Sequence, residues 1–223
     1  MERNPAVVVS QVYTRESPLA THKVLRNTYL LLSATLAFSA LVAAGAAALG
    51  LPYLGPWITL GGYFALLYAV TKTEDSGWGL VWVFALTGFM GLTLGPIVSY
   101  YVRAIPDGHS LVFTAFGITA VAFLALSAYA IRSGRRFTFM GGFLTVGIIT
   151  AFVLGLVAIL FSMPTLALVV SGLFVMLMSG LILFETGEIL HGGETNYIRA
   201  TVTLYVSIYN MFTSLLHLLG SNR

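Results

Sequence analysis

Few side chains in this sequence could do chemistry, and most of them fall in one stretch, LILFETGEILHGGETNYIRATVTLYVSIYN, residues 181–210. Glu185 closes one apolar run and Arg199 opens the next. A charged group at the centre of a membrane helix costs about 2.5–3.5 kcal/mol on insertion scales, so such groups face protein or mark a functional site. Counting from Thr165, Glu185 lies about 30 Å along its helix, near one edge of the hydrocarbon, and Arg199 starts the return helix at similar depth. This placement predicts a Glu185–Arg199 ion pair. Open to water, Glu185 would be an ordinary interfacial acid. Enclosed without a partner, it would be a proton-sensitive switch.

Beyond Arg199, the residues Thr203, Ser207, Asn210, Ser214 and His217 recur at alternating spacings of four and three. That spacing gathers all five on one helical face. Hydroxyls and amides so placed hydrogen-bond to neighbouring helices at about 0.6 kcal/mol each. Alternatively the stripe, about 21 Å long, lines a hydrated path or a ligand face. Both readings put this helix inside a bundle, because lipid would not tolerate the stripe.

Other chemistries lack their groups. His191-Gly192-Gly193-Glu194 is not a His-Glu-x-x-His zinc helix, and its paired glycines read as a turn. Asp75 and Asp107 are the only aspartates and both fall in loops, and no Gly-x-Ser-x-Gly is present, which argues against intramembrane proteolysis. Lys23 and Lys72 are the only lysines, so a Schiff-base lysine inside a helix is missing. The absence of cysteine removes disulfides, thiolate metal sites and cysteine catalysis. Neither a phosphate-binding loop nor a nucleic-acid motif occurs, and no small-molecule substrate suggests itself. The chain reads as a non-enzymatic protein without a cofactor.

The elements that must position these groups are apolar helices. Of 223 residues 58% are hydrophobic and only 9% charged, against about 25% charged in soluble domains, and mean hydropathy is +0.91. A spanning helix needs about 20 apolar residues. The first 26 residues hold no early apolar core, so a cleavable signal peptide is not expected. Residues 27–71 lack Asp, Glu, Lys and Arg and are split by Gly50-Leu51-Pro52 and Gly55-Pro56; residues 137–184 are similarly uncharged and split at Ser162-Met163-Pro164. The pattern predicts an all-α membrane protein with seven spans, near 28–49, 54–71, 77–102, 110–131, 137–161, 165–185 and 196–219. The bundle would occupy 27–220, after a flexible tail 1–26 and before a short end 221–223.

Positive charge orients the spans. Arg3, Arg15, Lys23 and Arg26 precede the first span, Lys72 follows the second, and Arg132, Arg135 and Arg136 follow the fourth. The opposite side holds only Arg103 and Arg223. The N-terminus is therefore expected in the cytoplasm and the C-terminus outside. Small residues in the third, fifth and sixth helices, among them Gly91 and Gly95, suit close helix packing in lipid. Pro96 should kink the third helix.

Three segments carry a resemblance. ALTGFMGLTLGPI (85–97), ILFETGEILHGGETNYIRA (182–200) and TLYVSIYNMFTSLL (203–216) resemble the Bax-inhibitor-type transmembrane family, and ATHKVLRNTYLLLSATLAFSA (20–40) resembles its bacterial YccA branch. From about residue 20 the resemblance covers nearly the whole chain, and it implies six helices around a central seventh. In members resembling pH-sensitive calcium leak channels it also implies a pair of acids. Glu185 matches the first; the second position is occupied here by Ser207, and the basic residue that some members carry in helix 2 is missing. Serine cannot hold the charge that would bind calcium, so the calcium reading is weakened. The YccA branch implies instead an inner-membrane modulator of the FtsH protease, a poorly degraded substrate that competes with others. Its partners would be FtsH, membrane proteins associated with it, and the lipid bilayer. The tail, with Arg3, Arg15, Lys23 and Arg26, would be the handle and the packed bundle the brake. A leak of calcium or protons gated by Glu185 is the rival reading, and a structural role in a larger assembly is a third.

Overall fold

A computed structural model describes residues 18–221. They form seven helices: α1 (Pro18–Ala48), α2 (Pro56–Thr73), α3 (Trp78–Ala104), α4 (Gly108–Ser133), α5 (Met140–Leu160), α6 (Pro164–His191) and α7 (Tyr197–Gly220). All but α2 are long and apolar enough to cross a membrane. At 18 residues, with two tyrosines and Lys72, α2 is the short and less apolar exception. It is about 27 Å long.

Local chemistry sets most boundaries. Pro56 and Pro164 stand in the first turns of α2 and α6, where the missing N–H is no loss. Gly134 and Gly192 close α4 and α6 in the left-handed conformation. Two boundaries differ from the sequence reading by more than three residues. First, α1 begins at Pro18 rather than near 28, because proline opens the helix and Leu19 to Arg26 hold no breaker. Lys23 and Arg26 are therefore exposed residues on the first turns of α1, not part of a tail. Arg3 and Arg15 lie outside the described residues. Second, α6 runs past Glu185 to His191, because Ile189 is wholly buried and extends the apolar face.

Helix directions follow from side-chain neighbours. Gly88 faces Phe38, Gly91 faces Ser39 and Gly95 faces Ala43, so α1 and α3 run parallel, and α2 must return the chain between them. Tyr205 meets Thr87 and Tyr209 meets Thr93, so α7 is parallel to α3. Gly147 faces Leu177 and Gly180 faces Leu144, making α5 and α6 antiparallel. One end of the bundle thus holds the end of α2, the end of α6 and the start of α7. The other holds the end of α1, the start of α2 and the end of α3.

The main core gathers Leu32, Val83, Leu86, Ile182, Leu204 and Met211. Helix α7 packs against α1, α3, α4 and α6, and no residue from Ala200 to Gly220 is exposed. By contrast α4 and α5 expose Phe113, Phe116, Val121, Phe143, Val146 and Ile149, an apolar face suited to lipid.

Gly91 and Gly95 let the α3 backbone lie directly on α1. A Cβ on Gly95 would fall 2.6 Å from the Ala43 carbonyl oxygen and 2.7 Å from Ala46 Cβ, and one on Gly91 would fall 3.0 Å from Ser39 Oγ. Contact with backbone cannot be relieved by a rotamer change, so Gly95→Ala is expected to destabilise the bundle by about 1–2 kcal/mol. Thermal melting in detergent checks this; unchanged melting would contradict the tight contact. Pro96 follows within α3, which continues past it to Ala104.

Candidate functional site

The charged end of α6 and α7 is built by a turn. Gly192, at φ 74°, closes α6, and its N–H donates to the Glu188 and Ile189 carbonyls. Gly193 N–H donates to the Glu188 carbonyl at 2.9 Å. His191-Gly192-Gly193-Glu194 is thus a helix stop, as its glycines suggest. Asn196 then caps α7, its Oδ1 accepting from Ile198 N at 2.9 Å and Arg199 N at 3.3 Å. Its Nδ2 donates to the Glu74 carbonyl at 3.2 Å and to Asp75 Oδ1 at 3.0 Å. One side chain therefore starts α7 and ties it to the α2–α3 loop.

Arg199 completes this clasp. Its Nη2 donates to Glu74 Oε1, its Nε donates to Glu74 Oε2 at 3.2 Å, and Nη1 lies 3.6 Å from Glu194 Oε2. The expected Glu185–Arg199 pair does not form. Helix α6 continues six residues beyond Glu185, about 9 Å along its axis, while Arg199 stays half exposed at the bundle end, where Glu74 and Glu194 take its donors. Glu185 is only 6% exposed, and its Oε1 has no hydrogen-bond partner among the described residues. Glu194, Glu188 and Arg199 are the charges that act on it through space.

The polar stripe mostly bonds to its own helix. Thr203 Oγ1 donates to the Arg199 carbonyl at 3.1 Å, Ser207 Oγ to Thr203 at 2.7 Å, and Asn210 Nδ2 to Val206 at 2.9 Å. Ser207 and Ser214 are buried, and Thr203, Asn210 and His217 half-buried. Of the five, only His217 bonds to another helix among the described residues, its Nδ1 lying 2.9 Å from Ser171 Oγ on α6.

Tyrosines and threonines outside the stripe make the other links between helices. Tyr205 Oη lies 2.6 Å from Ser39 Oγ of α1 and donates to the Thr87 carbonyl of α3 at 3.3 Å. Tyr209 Oη lies 3.3 Å from Thr93 Oγ1, and the two tyrosine rings stack with centroids 6.4 Å apart. Near the clasp, Thr201 Oγ1 reaches the Thr28 carbonyl at 3.3 Å and Tyr29 Oη lies 3.4 Å from Thr186 Oγ1. The available signal was the i, i+4 spacing of Tyr205 and Tyr209 beside the stripe. Removing the Tyr205 hydroxyl in Tyr205→Phe is expected to cost about 0.6–1.7 kcal/mol, read by unfolding in detergent or bicelles. No loss of stability would mean the tyrosine contributes only its ring.

The chemistry of this site is that of a closed, polar-laced bundle with one enclosed carboxyl and a charged clasp at one end. Comparison with known proteins agrees with the family read from the motifs. The family model described as Inhibitor of apoptosis-promoting Bax1 matches residues 21–223. The chain is 48% identical over 214 residues to the Escherichia coli (strain K12) protein named Modulator of FtsH protease YccA, with 96% of each chain covered. Identity and coverage are the same for the protein of E. coli O6:H1 named Inner membrane protein YccA. An uncharacterized protein of Pseudomonas aeruginosa is 45% identical, covering 94% of this chain and 96% of its own. The chain belongs to the Bax-inhibitor family of membrane proteins.

Proposed function

We propose that this chain is a multi-pass protein of the bacterial inner membrane that modulates the FtsH protease without being an enzyme itself. In this reading it is a poorly degraded substrate that occupies FtsH, and associated membrane proteins where present, so that other membrane substrates survive longer. The observation that carries the reading is the 48% identity, across nearly the full length of both chains, to a protein named for modulating that protease. The fold supplies a physical reason. Extraction must separate α3 from α1 along the Gly91 and Gly95 contact and pull polar residues of α7 through hydrocarbon.

Orientation follows from charge. Lys23, Arg26, Lys72, Arg132, Arg135, Arg136 and Arg199 belong to the clasp end, and Arg103 to the other. The clasp end is the cytoplasmic one, α2 crosses despite its length, α7 is the central helix and the C-terminus is outside. The segment before α1 then lies on the side where a cytoplasmic protease can grip it. A photo-crosslinking amino acid at position 8 of the membrane-reconstituted chain is expected to capture FtsH, and one at Phe143 on the lipid-facing side of α5 is not. Equal capture at both positions, or at neither, would overturn engagement through the N-terminal segment.

One observation favours a second reading. Glu185 is enclosed, with an oxygen that no described group satisfies, as suits a gate for a calcium or proton leak along α7. Ser207 donates to its own helix and supplies no second carboxylate. Under this reading Glu185→Gln changes ion flux into liposomes and its pH dependence; unchanged flux removes the gate.

A further inference from the structure

Away from the clasp, the opposite end of the bundle holds a cavity of about 410 Å³ between the α1–α2 loop and the last turns of α3. Leu51, Tyr53, Pro96, Ser99, Tyr100 and Arg103 line it. We propose that this cavity binds the headgroup of an anionic phospholipid of the phosphatidylglycerol type, with Arg103 holding the phosphate.

The charge of the cavity asks for an anion. Arg103 is exposed, and every ion pair among the described residues belongs to Arg199, so the Arg103 guanidinium has no carboxylate partner there. Asp107 is the nearest acid in sequence and forms no ion pair with it. A guanidinium fork matches phosphate oxygens with two parallel donors. Ser99, Tyr53 and Tyr100 line the same space, and a hydroxyl is a group that can bond phosphate or glycerol oxygens.

The surroundings ask for a lipid rather than a free ion. Leu49 is 77% exposed, and Trp57, Ile58, Tyr53 and Tyr100 are each more than half exposed around the cavity's helices. Tyrosine and tryptophan at that level form the aromatic belt found at the membrane–water boundary. Acyl chains on the α1 and α2 surface would cover these side chains, whereas inorganic phosphate would leave them bare. Among the described residues no carboxylate lines the cavity to receive an ethanolamine ammonium, which favours phosphatidylglycerol over phosphatidylethanolamine.

The test uses the full chain, purified in mild detergent with equal amounts of the two lipids and examined by native mass spectrometry. Phosphatidylglycerol is expected to be retained in preference. Arg103→Gln should lower its retention about fivefold, the effect of about 1 kcal/mol for one basic residue near an anionic lipid, with phosphatidylethanolamine unchanged. Arg103→Lys should keep most of the preference, and millimolar inorganic phosphate should not displace the lipid. Equal retention of both lipids by the native chain overturns the proposal, as does undiminished phosphatidylglycerol on Arg103→Gln or displacement by phosphate. If Arg103→Gln melts early, Arg103→Lys decides: loss of the preference in that folded variant also overturns it.

Discussion

Deleting residues 2–17 is expected to restore the degradation of a second membrane substrate by FtsH to the rate seen without this chain. A protease that acts by pulling needs a length of polypeptide to grip before it meets folded structure. On the cytoplasmic side assigned here, the segment proposed for that grip is the one before Pro18. The deletion stops where α1 starts, and it removes none of the contacts that α1 makes with α3 through Ser39 and Ala43, or with α7 through Thr28 and Ser39. Melting temperature and membrane insertion should therefore match the full chain, separating loss of engagement from loss of fold. A truncated chain that still slows degradation as well as the full chain would contradict engagement through this segment. The modulator reading would then need another contact, with the clasp end as its place.

Glu185→Met is expected to raise stability by about 1–3 kcal/mol. The carboxyl is 6% exposed, its Oε1 finds no partner among the described residues, and two of the three charges acting on it are acids. Methionine has nearly the same length and is adaptable enough to fill the space beside buried Ile182 and Ile189. Such a substitution removes an unsatisfied buried polar group, which by itself costs about 1–3 kcal/mol. Equilibrium unfolding in bicelles measures the change. A destabilised variant would show that water or an ion completes the carboxyl in the folded protein, and would favour the leak reading. A stabilised variant that still slows proteolysis would show that modulation does not use Glu185.

Apolar runs and their Gly and Pro punctuation made the helices legible in the sequence, since hydrocarbon length and backbone hydrogen bonding leave few alternatives. Two helix ends lie well away from the charge pattern for a shared reason: a charged residue does not limit a helix. Lys23 and Arg26 ride on α1, and Glu185 sits inside α6, because a helix stops where its backbone is capped, at Gly192, and not at its first charged residue. The partner of Arg199 was hidden by distance along the chain. Glu74 lies 125 residues away, and only the meeting of the α2–α3 and α6–α7 turns brings it near. The stripe on α7 was visible as a face, but spacing does not tell whether a hydroxyl bonds across helices or back to its own carbonyl. Thr203, Ser207 and Asn210 do the latter, while Tyr205, Tyr209, Thr201 and His217 make links across helices.

The most direct test of the central claim is the half-life of a second membrane substrate in liposomes that hold FtsH, ATP and increasing amounts of the full chain. The half-life is expected to lengthen with the amount of chain while the chain itself stays largely intact. A half-life independent of the chain, with FtsH active and both proteins correctly inserted, would contradict the modulator reading and turn attention to ion flux along α7.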